Sequence, residues 1–233
     1  MTSASLPRRC VSEGIGTALL LAAVVGSGIM GESLSGGNVA IALLANALAT
    51  GAVLIVLILT FGPISGAHFN PAVTLADASQ GGLDWKDAPA YIGAQGLGAL
   101  AGVFAAHLMF AQPVFQVSDH VRSGSAQWFS EFVATFGLLS VIWSGSRFRP
   151  DMVPAAAGLY IIGAYWFTAS TSFANPAVTL ARAFTNTFVG IRPADLAGFM
   201  IAQLAGAAAS TALFRWLVPP LSRSAESVVQ KRT

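Results

Sequence analysis

A seven-residue phrase occurs twice in this chain. Asn70-Pro71-Ala72-Val73-Thr74-Leu75-Ala76 returns unchanged as Asn175-Pro176-Ala177-Val178-Thr179-Leu180-Ala181, 105 positions later. Asn is a strong helix N-cap, because its side-chain oxygen accepts a free backbone N–H. Pro suits the first helical turn, where its missing N–H costs nothing. Each copy therefore reads as a helix start. Each also lies between long apolar stretches. Two short helices starting inside a bilayer would turn their positive ends toward whatever passes between them.

Composition places the chain in a membrane. Only 9% of its residues are charged, 55% are apolar, and its mean hydropathy is +0.68, whereas soluble domains carry about 25% charged residues. A spanning helix needs about 20 mostly apolar residues. Six stretches meet that need, at about 11–30, 39–61, 89–110, 127–144, 152–168 and 194–218. The two Asn-Pro-Ala pieces, about 68–79 and 175–186, are too short to span. Arg8 and Arg9 before an apolar run resemble the opening of a signal peptide. That run is long, contains Glu13 and lacks a clear cleavage site, so it reads as a retained helix. The expected architecture is an all-α membrane protein with six transmembrane helices and two re-entrant half-helices. A single transmembrane domain covers 1–223, and 224–233 form a polar C-terminal tail.

The halves repeat beyond the central phrase. Ser12-Glu13, Thr17 and Leu20-Leu21 are matched by Ser130-Glu131, Thr135 and Leu138-Leu139 at the same spacing. Ala94-Gln95 and Gly98-Ala99 are matched by Ala202-Gln203 and Gly206-Ala207. Three signatures in one order indicate internal duplication, with repeats at about 10–110 and 127–218. Three spans per repeat invert the second repeat, so the half-helices enter from opposite faces and meet near the midplane. Six spans put both termini on one side, together with nine of the twelve Lys and Arg residues. Arg122, Arg182 and Arg192 fall on the other side, which favours cytoplasmic termini in an inner membrane. Gly98 with Gly102, and Gly206 with Ser210, form small-xxx-small pairs that let helices cross closely.

Irregular backbone at membrane depth is tolerated only where it is buried in protein or lines a wet cavity. The segments before each phrase, 62–69 and 169–174, hold the breakers and polar residues this requires. Their free carbonyls can form a ladder of acceptors, and Asn70 and Asn175 can offer amide donors where the halves meet. A neutral hydroxyl-bearing solute could exchange its water partners for these groups. A cation would face two positive helix ends. Glu13 and Glu131 are carboxylates within spans, which are costly and functional candidates by default. Proton-coupled secondary transport through them is the reading from another class. No phosphate loop, metal cluster, nucleophile–base arrangement or nucleic-acid patch is visible, so the residues point to no enzyme, no cofactor and no metal. A net charge of +2 says little about partners, and Cys10 cannot form an internal disulfide. His107 and His120 show no partner pattern and read as structural or surface residues.

The chain resembles the major intrinsic protein family, the aquaporins and aquaglyceroporins. Ser65-Gly66-Ala67-His68-Phe69-Asn70-Pro71-Ala72-Val73-Thr74 matches that family's first loop almost residue for residue, and the resemblance covers about 10–218. It implies a homotetramer with one pore per subunit and a constriction at Asn70, Pro71, Ala72, Asn175, Pro176 and Ala177. It also implies that Glu13 and Glu131, with His68, brace the re-entrant loops. Family spacing further implies a filter of Thr50, Ser172, Val178 and a fifth-helix residue. That residue is Gly163 by strict counting, or Tyr165 if the following loop is two residues short. The family's usual pattern has Arg where this chain has Val178, and glycerol channels then have Asp where it has Thr179. The chain thus resembles the divergent bacterial aquaglyceroporins associated with arsenic resistance, in which this Arg is likewise Val. The resemblance implies passive flux of small neutral solutes: glycerol-like polyols, arsenite-type metalloid hydroxides and water. A water-selective pore is the alternative. Arg182 sits four residues past Val178 and would share its helix face, so it either turns to the pore mouth or anchors at the interface.

Overall fold

The computed structural model describes residues 4–218; the polar tail expected at 224–233 lies outside them. The first repeat comprises α1 (Leu6–Leu34), α2 (Val39–Ser65), the half-helix α3 (Pro71–Ser79) and α4 (Ala88–Met109). The second comprises α5 (Ser125–Phe148), α6 (Val153–Phe167), the half-helix α7 (Pro176–Ala181) and α8 (Leu196–Leu217). Each repeat therefore reads helix, helix, half-helix, helix, as the sequence signatures require. Large apolar side chains such as Val11, Leu44, Val56, Leu97, Phe129 and Ile201 stand exposed on the outer surface. Such a surface calls for lipid or another protein against it.

Among the described residues, five helices are long and apolar enough to cross a membrane. The fifth span, α6, is shorter than the others, because Pro154 opens it and the backbone turns extended at Thr168. A 3-10 turn, Pro150–Met152, precedes it. At about 1.5 Å per α residue and about 2 Å per 3-10 residue, the two together reach roughly 28 Å, close to the thickness of a hydrocarbon core.

Helix crossings are made at small residues. α1 packs mainly on α4, and α5 on α8. A Cβ at Gly98 would run into the Gly14 carbonyl oxygen, one at Gly102 into that of Ala18, and one at Gly206 into that of Phe132. The repeats join where α2 meets α6. There Gly51 and Gly158 face each other, and a Cβ on either would lie 2.6 Å from the other's carbonyl oxygen. Between the helices, the two non-helical segments before Asn70 and Asn175 run into the middle of the molecule.

Candidate functional site

Each half-helix is started by the side chain the sequence singled out. Asn70 Oδ1 accepts from Ala72 N at 2.9 Å, and Asn175 Oδ1 accepts from Ala177 N at 2.9 Å and from Val178 N at 3.3 Å. Pro71 and Pro176 occupy the first turns. The side-chain amides then reach across the molecule. Asn70 Nδ2 donates to Ala174 O, and Asn175 Nδ2 donates to Phe69 O, both at 2.7 Å. Each amide so uses one N–H to hold the opposite repeat and keeps its second N–H. α3 runs nine residues, whereas α7 runs six and passes into a 3-10 turn over Arg182–Phe184.

The loops before the half-helices are strained, and two carboxylates hold them. Ala67, Phe69, Thr171, Ser172 and Ala174 all have φ between 48° and 62°, a region that costs a side-chain-bearing residue about 1–3 kcal/mol. Glu13 Oε1 accepts from Ser65 Oγ at 2.6 Å and His68 N at 3.0 Å; its Oε2 accepts from Phe69 N at 2.7 Å and Gln95 Nε2 at 2.8 Å. Glu131 accepts from Phe173 N and Ala174 N, both at 2.9 Å, and from Gln203 Nε2 at 2.6 Å. Gln95 and Gln203 also donate to Thr74 and Thr179 of the half-helices, at 2.9 and 2.8 Å. Both carboxylates are fully buried, and neither reaches the cavity. With the loops held this way, the carbonyls of Ala67, His68, Ser172 and Phe173 accept no hydrogen bond from the described residues. His68 is fixed as well, its ring nitrogens lying 3.1 Å from Thr74 Oγ1 and 3.5 Å from Asp77 Oδ2.

A cavity of about 510 Å³ runs through the middle of the molecule. Its polar lining comes from the two loops, including Asn70 and Asn175, and from helix side chains such as Arg9, Thr50, Asp77, Ser146 and Tyr165. Its apolar lining comes from the helices, through residues such as Leu20, Leu54, Leu138 and Ile161. Thr50, Ser172 and Val178 all line it. Gly163 does not. That position lies exposed on the outer face of α6, and Tyr165, two residues on, is the α6 side chain that lines the cavity there. Strict counting misplaces the residue because Thr168 to Ala174 run in tight turns with several left-handed residues. Tyr165 OH donates to Thr50 Oγ1 at 3.3 Å. Ser172 Oγ is buried with no hydrogen-bond partner among the described residues. This part of the lining thus combines three hydroxyls with the Val178 side chain, and one of its members is aromatic rather than small.

Arg182 takes neither expected place. It is 2% exposed, its Cζ lies 3.3 Å from the centroid of the Phe173 ring, and its Nε donates to Val189 O. α7 ends at Ala181, so the helical projection linking it to Val178 no longer applies. His107 is a buried loop anchor between Val114 O and Thr185 Oγ1, and His120 is half-exposed. Reasoning from sequence missed Gln95 and Gln203 as braces, although their matched places in the repeat were a usable signal. It also missed Ser65, Phe173 and Arg122.

The family model described as "Major intrinsic protein" matches residues 1–161. The aquaglyceroporin AqpS of Rhizobium meliloti (strain 1021) is 59% identical over 220 residues, covering 94% of each chain. The aquaporin NIP6-1 of Arabidopsis thaliana is 36% identical over 140 residues, 59% of this chain and 45% of that one. Among solved structures, the aquaglyceroporin from Plasmodium falciparum superimposes with a TM-score of 0.72 over 93% of this chain and 98% of that chain, at 22% identity.

Proposed function

The chain belongs to the major intrinsic protein family, a family of membrane channels, and we propose that it conducts small uncharged polyhydroxyl solutes passively through a filter without the usual Arg. The observation that carries this reading is the cluster of hydroxyls beside Val178 in the cavity lining. Thr50, Tyr165 and Ser172 present hydroxyls beside Val178, and Ser172 Oγ is left unpartnered. Buried polar atoms without partners are costly, so a solute bearing several hydroxyls replaces its water contacts there at small loss. Its carbon skeleton meets the aliphatic wall of α1, α2, α5 and α6. Glycerol-like polyols and arsenite-type metalloid hydroxides share this chemistry, and water is carried with them. The filter is wider than a water-selective one because Val fills less space than Arg and leaves the opening uncharged.

The two Asn amides form the second contact zone, where their remaining N–H groups meet the solute. The positive ends of α3 and α7 oppose cations at the same depth. Proton coupling through Glu13 or Glu131 is disfavoured, since each carboxylate already accepts at least three hydrogen bonds and neither faces the cavity. The protein is a multi-pass membrane protein. We place it in the inner (cytoplasmic) membrane as a homotetramer with both termini in the cytoplasm, a reading supported by the bias of Lys and Arg and by the family resemblance.

Stopped-flow measurements on proteoliposomes test the filter assignment. A panel of water, glycerol, urea and arsenite should all cross downhill. Val178→Arg should lower glycerol and arsenite permeability by about tenfold, an added barrier of about 1.4 kcal/mol, and water permeability by less. Unchanged glycerol flux in a correctly inserted variant would refute the filter.

A further inference from the structure

This inference rests on the channel reading above and concerns what excludes cations from a filter lacking its charge. Phe173 lines the cavity, and two guanidinium groups lie against its ring, with Cζ of Arg182 at 3.3 Å and Cζ of Arg122 at 5.2 Å from the centroid. Neither arginine reaches the cavity itself. The strand of loop before α8 turns its carbonyls onto them: Val189 O accepts from Arg182, and Gly190 O accepts from Arg122 Nε at 2.7 Å. Phe188 O and Ser170 O lie at 3.5 Å from Arg122.

Among the described residues no carboxylate lies within salt-bridge distance of either group. The acids at this end are engaged elsewhere. Glu131 takes the loop N–H groups and Gln203. Asp195 takes the backbone N–H of Arg122 and pairs with Arg192. Burying one cation without a counter-ion is costly, and placing two against one ring is more so. Arg cannot shed its proton. Its field in a low-dielectric wall escapes most salt screening. The result is a permanent positive potential one ring removed from the cavity.

The repeat sharpens the point. Counting back 105 positions, Phe173 and Arg182 correspond to His68 and Asp77. There the ring faces a carboxylate, with His68 Nε2 3.5 Å from Asp77 Oδ2. The same two scaffold positions therefore hold opposite charge at the two ends of the cavity. We propose that Arg182, backed by Arg122, acts through the Phe173 wall as the cation barrier of the outer constriction, supplying from behind the filter the charge that Val178 lacks.

The test uses the full chain in proteoliposomes, with glycerol entry followed by stopped flow and potassium entry by a trapped ion-sensitive dye. The wild-type chain should pass glycerol and exclude potassium. Arg182→Gln should raise potassium entry by about tenfold or more, equivalent to a barrier loss of about 1.4 kcal/mol, while glycerol flux stays within about twofold. Arg182→Lys, which keeps the charge, should restore exclusion. If Arg182→Gln does not insert, Arg122→Gln, at a partly exposed position, faces the same criterion. A glutamine variant that conducts glycerol yet still excludes potassium overturns the proposal, as does a wild-type chain that leaks potassium. Failure of both glutamine variants to assemble makes the arginines loop anchors and overturns it as well. Absence of glycerol flux in the wild-type chain refutes the channel reading instead.

Discussion

Glu131 sits fully buried among α5, α8 and the second loop, and its three donors all require an acceptor. Glu131→Gln offers an amide N–H to at least one of them. A donor then faces a donor, and a buried polar group goes unsatisfied at a cost of about 1–3 kcal/mol. The strained φ values at Ser172 and Ala174 lose their restraint at the same time. The variant should melt lower in detergent and lose most of its solute flux, while Glu13→Gln does the same at the other loop. Thermal unfolding of purified protein and liposome flux together check this. Glu13, Glu131, Asn70 and Asn175 were legible in the sequence because each is polar where lipid would forbid it, and each occurs twice at matched spacing. Tyr165 is one of two options in the sequence, because its place depends on loop turns with left-handed residues that counting cannot foresee. Arg182 was illegible for a related reason: its helix ends at Ala181, and the turn that follows advances each residue by a different angle.

The elements hold together through glycine. At the α2–α6 crossing, Gly51 and Gly158 allow backbone contact between the two repeats, and the carbonyl oxygen opposite each is part of a helix that cannot give way. Gly158→Ala should therefore destabilise the protein by about 1–3 kcal/mol, as overpacking of a tight contact does. Gly96→Ala is the matched control. That position meets open space, and alanine there removes only the helix penalty of glycine, about 1 kcal/mol in the stabilising direction. Opposite shifts of the melting temperature in detergent are expected. Helix existence and order were legible because apolar length and small-residue spacing are strong signals. The brevity of α6 and the early end of α7 were less so, since both depend on prolines and turns whose effect is set by their neighbours.

The whole molecule is a bundle with apolar residues outward and a polar thread within. A passive pore couples no proton to the solute, so glycerol flux should be unaffected when a protonophore collapses an imposed pH gradient. Concentrative uptake that vanishes with the protonophore would contradict a passive pore. The reciprocal bonds from Asn70 to Ala174 and from Asn175 to Phe69 have a further consequence for biogenesis. During synthesis the first loop is made long before its counterpart, and until the second arrives its amide and its carbonyl have no mate in the bilayer. The nascent chain therefore holds an unfinished polar seam through most of translation, closed only when the second repeat is inserted. The first repeat alone leaves that seam unmade, and the conduit between the repeats is the last thing the chain acquires.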